Sequence, residues 1–75
     1  SPEAAYLTQL MRVLAMAHEE VTRILLGTGL GQFMLVADLA KDMGFIADKI
    51  TLFKSTLGPK GPAYEALKEV TLNTT

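Results

Sequence analysis

Apolar residues recur along this chain at spacings of three and four. Leu7, Leu10, Leu14, Ala17, Val21 and Ile24 do so in the first third, and Val36, Leu39, Met43, Ile46, Ile50, Phe53 and Leu57 do so in the middle. Residues three and four apart stack on one face of an α-helix, so each set predicts one apolar stripe. Met11, His18 and Leu25 widen the first stripe, while Arg12, Glu19 and Arg23 take its far side. Glu19 and Arg23 are four apart in the favourable order for an ion pair. Stripes this regular need other helices to cover them, and the expected fold class is all-α.

Punctuation supplies the boundaries. Ser1-Pro2-Glu3 offers an N-cap, a first-turn proline and an acid at the positive dipole end. Gly27 stops that helix, Gly58-Pro59 stops the next, and Pro62 opens another. The pattern therefore predicts a small helical bundle. It has two long antiparallel helices, at about 2–26 and 32–57, and a short third helix at about 62–72 packed across them. Gly44 lies inside the second helix, where glycine costs about 1 kcal/mol relative to alanine, so a close crossing, a kink or a turn is expected there. Phe45 and Leu52 are seven apart and share a face away from the main stripe, which gives the second helix two apolar sides. With Met34 they form the candidate interaction surface.

Composition bounds the rest. The 75 residues suffice for a single small domain, and the ends read as those of a fragment of a longer protein. Hydrophobic residues make up 49% and mean hydropathy is +0.28, a surplus for a chain this short that means either an unusually rich core or apolar surface meant for a partner. Seven Lys plus Arg stand against eight Asp plus Glu, so the basic excess of a nucleic-acid binder is absent. The uncharged window from Ile24 to Ala37 falls short of the roughly 20 apolar residues a spanning helix needs. No membrane span and no signal peptide is expected, and the compartment is left open.

Candidate chemistry is sparse. There are no cysteines, which removes disulfides and thiolate metal sites. His18 is the sole histidine, followed by Glu19 and Glu20; a zinc helix would need a second histidine at position 22, where threonine stands. Glu19, Glu20, Asp38, Asp42 and Asp48 fall mostly on solvated helix faces, and no serine occupies a nucleophile elbow. Gly27, Gly29 and Gly31 alternate as in a phosphate cradle, but that motif requires a strand leading in, and a helix leads in here. No catalytic residue, metal or cofactor is expected. Of the methionines, Met11 and Met43 belong to core stripes, while Met16 and Met34 are spare.

The run from Leu35 to Lys54 resembles the helix-turn-helix of DNA-binding regulators, through Leu39, Ala40, Met43, Gly44, Phe45, Ile50 and Phe53. The resemblance implies that Gly44 turns the chain and that the following helix enters the major groove. Ala47, Asp48, Lys49, Thr51 and Lys54 would then face bases or phosphates. Ile46 departs from the pattern, since a capping residue normally stands there.

These observations lead to a non-catalytic interaction or oligomerisation module using apolar helix faces, its partner another protein, a partner helix or a second copy of itself. A DNA-binding domain centred on 35–54 is the alternative. A lipid- or apolar-ligand-binding helical domain is the third.

Overall fold

The computed structural model describes residues 1–28, 31–39 and 46–73. It contains one helix, α1 (Pro2–Thr28), followed by three strands: β1 (Gln32–Leu39), β2 (Ala47–Gly58) and β3 (Gly61–Thr71). The strands form an antiparallel sheet in the order β1-β2-β3. The all-α bundle is thereby overturned: the helix expected at 32–57 is a pair of strands, and the helix expected at 62–72 is a third.

The physical reason lies in the residue types at the apolar positions. Ile50-Thr51-Leu52-Phe53 is a continuous run rich in β-branched and aromatic side chains, which favour a pleated backbone. A central strand covered on one face and flanked on both edges reads as such a run, and spacing alone cannot separate it from a buried helix. Strand alternation also disposes of the second apolar side. Leu52 and Ile50 are two apart and share a face of β2, so no extra face is needed to explain Leu52.

The Gly58-Pro59-Lys60-Gly61 segment is a hairpin turn rather than a gap between helices. Gly58 pairs with Gly61, and Leu57 with Pro62. Proline suits the first central position because its ring sets φ near the value that position needs. Gly61 has φ of +108°, a conformation costly for any residue with a Cβ. Pro62, the second residue of β3, pairs with Leu57 on an edge strand, where a missing amide is tolerated.

Two register shifts adjust the faces. One falls between Asp38 and Leu39 of β1, whose partners are Lys49 and Ala47, so Asp48 is the extra residue on β2. That irregularity lets Ala47 join Ile50 in the core although the two are three apart. The other makes Leu67 the extra residue on β3, between Lys68 opposite Leu52 and Ala66 opposite Phe53.

α1 begins as expected. The Ala4 amide donates to Ser1 Oγ at 3.3 Å, an N-cap bond, and the helix continues to Thr28, two residues beyond the predicted end. Its buried face follows the expected stripe only in part. Val13 and Ala17 are buried, and Tyr6, Leu10 and Met16 pack against a core of Val13, Ala47, Ile50 and Leu72. Leu7 and Leu14, expected in the core, are exposed. Leu10 and Ala17 of the expected stripe keep their place, so the buried face is turned from it by only about half a residue step, ~50°.

Candidate functional site

Two polar clamps hold α1 across the sheet at one end. The Tyr6 hydroxyl donates to the Ala47 carbonyl at 3.0 Å and accepts from the Ala47 amide at 2.7 Å. The Gln9 amide group donates to the Asn73 carbonyl and accepts from the Asn73 amide, both at 2.8 Å. These bonds tie the first turns of α1 to the start of β2 and the segment just after β3. The Leu72 amide extends the ladder by donating to Asp48 O at 2.7 Å.

This anchoring decides which flank of the helix stays open. A hollow beside α1 is lined by Gln9, Arg12, Val13, Met16, Val70 and Leu72, so one flank leans over β3. On a helical projection Leu7, Leu14 and Leu25 lie on the opposite flank, toward β1. They are exposed, as is Met11 beside them, with 58% of Leu14 and 69% of Met11 accessible. Alternation and register place Phe33, Leu35 and Ala37 on the face of β1 that α1 overlies, opposite Lys54, Leu52 and Ile50. Yet β1 is exposed at every position except the half-buried Phe33. Exposed apolar side chains therefore lie both on the outer flank of α1 and along β1.

The other face of the sheet carries no described helix. Gln32, Met34, Val36 and Asp38 of β1 lie there, opposite Ser55, Phe53, Thr51 and Lys49. Lys49 Nζ reaches Asp38 Oδ2 at 3.3 Å and Glu69 Oε2 at 3.8 Å, so a row of charges crosses all three strands. The hydrogen bond to Asp38, with the charge of Glu69, holds the Lys49 ammonium above the ordinary lysine range. On α1 the Arg23 guanidinium pairs with Glu20 rather than with the expected Glu19. That hydrogen bond holds the Glu20 carboxyl below its ordinary range.

Of the predicted interaction surface, Met34 and Leu52 lie on opposite faces of the sheet. Met34 is 42% exposed on the open side of β1. Leu52 is 2% exposed, the most enclosed large side chain described, because it alternates with Ile50 beneath the helix. It serves the core. Phe45 lies outside the described residues, as do Gly44 and Asp42. The DNA-binding alternative loses its geometry, since Ala47, Lys49, Thr51 and Lys54 are carried by β2 instead of a recognition helix. Thr51 is buried besides.

Among the described residues no three metal-ligating side chains converge, and no helix is long and apolar enough to cross a membrane. His18 is exposed on α1. Leu35 and the Leu7–Met11–Leu14 flank were not singled out as surface by the spacing argument. The available signal was in β1 itself: Phe33-Met34-Leu35-Val36-Ala37 is an apolar run without proline or lysine, the composition of an unprotected edge strand. No family model, curated protein or solved structure matches the chain.

Proposed function

We propose that this chain is a non-catalytic interaction module that associates with another protein chain, a second copy included, through the apolar surface between α1 and β1. One observation carries the reading: four large apolar side chains on the outer flank of α1, Leu7, Met11, Leu14 and Leu25, remain exposed beside an open strand edge. Scattered exposed leucines are ordinary, but a contiguous apolar strip of this kind marks a contact surface. The balanced charge suits a protein partner better than a phosphate backbone.

Light scattering over a wide concentration range tests this, with the wild-type chain compared with Leu14→Glu. Leu14 is outside the core, so the variant keeps its fold and cooperative melting. Association weakened by more than about 1 kcal/mol supports the reading, as for an anchoring contact. Wild-type association that Leu14→Glu leaves untouched, or a strict monomer up to millimolar concentration, overturns self-association through this surface.

A further inference from the structure

We infer that the open edge of β1 is covered by a second copy of this chain, through antiparallel pairing of β1 with its two-fold mate, Leu35 opposite Leu35. The inference rests on the interaction-module reading and specifies its partner and register. Together the two protomers form one six-stranded sheet.

The two sheet edges are built differently. β3 carries Pro62, Glu65, Lys68 and Glu69, a proline and alternating charges of the kind that blunt an edge. β1 carries only Asp38 among eight residues. Its outer backbone groups have no pairing strand among the described residues, because β1 ends the sheet. An unpaired apolar edge without such protection templates another strand.

Symmetry then restricts the partner strand. When a strand pairs antiparallel with its own copy, the two-fold axis stands perpendicular to the sheet, and each face of one protomer continues into the same face of the other. Directly opposed residues must share a face, so only even registers are allowed. With Leu35 on the axis, Phe33 faces Ala37, Met34 faces Val36 and Gln32 faces Asp38 of the partner subunit. This register engages the strand from Gln32 to Asp38 and puts the sole carboxylate opposite a neutral amide donor. The two Asp38 side chains stand six residues apart along the ladder, about 20 Å. Shifting the axis to Val36 would set Asp38 against Met34. Charge and polarity thus select the Leu35 register.

The helices follow from the same axis. Both lie on one face of the joined sheet, with the Leu7–Met11–Leu14 flank of each on the side nearer the dyad.

Because the chain has no native cysteine, single cysteines report the register cleanly. Leu35→Cys should cross-link to itself in high yield with a short thiol-specific reagent, since directly opposed Cβ atoms lie about 4.5–5.5 Å apart. Gln32→Cys alone should not, but an equal mixture of Gln32→Cys and Asp38→Cys should yield the mixed dimer. Met34→Lys, on the open face and clear of the core, should weaken dimerisation about tenfold or more while circular dichroism is unchanged. A wild-type dimer sensitive to Leu14→Glu but failing the Leu35→Cys cross-link overturns the edge pairing and leaves the module reading standing. A monomer at all concentrations overturns the second-copy partner outright.

Discussion

The Tyr6 hydroxyl closes a two-way hydrogen bond with the backbone of Ala47, forty-one residues away, donating to its carbonyl and accepting from its amide. Ala47 is buried and sits at the β1–β2 register shift, where ladder partners are disturbed. One hydroxyl therefore satisfies both polar groups of a residue that the sheet alone pairs irregularly. Tyr6→Phe keeps the ring and removes both bonds, leaving part-buried donor and acceptor unmet. The expected cost is about 1–3 kcal/mol, read from urea unfolding monitored by circular dichroism. A variant as stable as wild type would mean that water replaces the hydroxyl without loss.

Gly61 should be the intolerant glycine of the β2–β3 turn. Its φ of +108° is disfavoured for any residue with a Cβ, although a Cβ there would meet nothing within 4 Å. The penalty is therefore one of backbone conformation. Gly61→Ala should cost about 1–2 kcal/mol, which in a domain of this size lowers the melting temperature by roughly 4–8 °C per kcal/mol. Gly58→Ala is the control, since its Cβ would make only an ordinary 3.7 Å contact with Gly61 O. Equal effects at both positions would sink the conformational explanation.

The first helix was legible because several signals agreed: the Ser1 cap, Pro2, a long run of helix formers and Gly27. Its buried face follows the leucine spacing only in part. Leu7 and Leu14 of the expected stripe are exposed, whereas Ala17 of that stripe and Val13 beside it are buried. From Val36 onward the three-and-four spacing was accidental. Ile50 and Phe53 fit a helical stripe, but their three-residue spacing in a regular strand sends them to opposite faces. The β-branched content and the Gly58–Gly61 turn favour strands, and helical spacing alone does not outweigh them. For the candidate surface, chain-level arithmetic found the apolar surplus but not its location. Leu52 looked spare only on a helix, and Leu14 looked buried only if the leucines faced inward.

Glu20 and Lys49 give opposite pH signatures. Glu20 is held below its ordinary range by the Arg23 hydrogen bond, so its contribution to stability is present above that range and fades as pH falls through the lowered value. Lys49 is held above its ordinary range by Asp38 and Glu69, so its contribution is whole below that range and fades as pH rises through the elevated value. Both pairs meet solvent, and salt should weaken both. Carboxyl titration by NMR should find Glu20 low in the wild type and back in the ordinary range in Arg23→Gln. A Glu20 midpoint indifferent to Arg23→Gln would remove the pairing as its cause.

Leu52 and Leu14 are the same residue type with opposite expected behaviour, and their contrast tests the layering of the whole fold. Leu52 is 2% exposed on the central strand, two residues from Ile50 and beneath α1, whereas Leu14 is 58% exposed on the outer flank of that helix. Removing three carbons from the enclosed site loses transfer energy and leaves a cavity, so Leu52→Ala should cost about 2–5 kcal/mol. That is a large share of the stability of so small a domain, so the variant should be partly unfolded at room temperature. Leu14→Ala removes the same atoms from water and leaves no cavity, and alanine is the better helix former. Its stability, measured at concentrations below any association, should change by no more than about 0.5 kcal/mol. If α1 were instead rolled so that its leucines faced the sheet, Leu14→Ala would be the damaging change. Equilibrium unfolding of the two variants side by side separates these orientations.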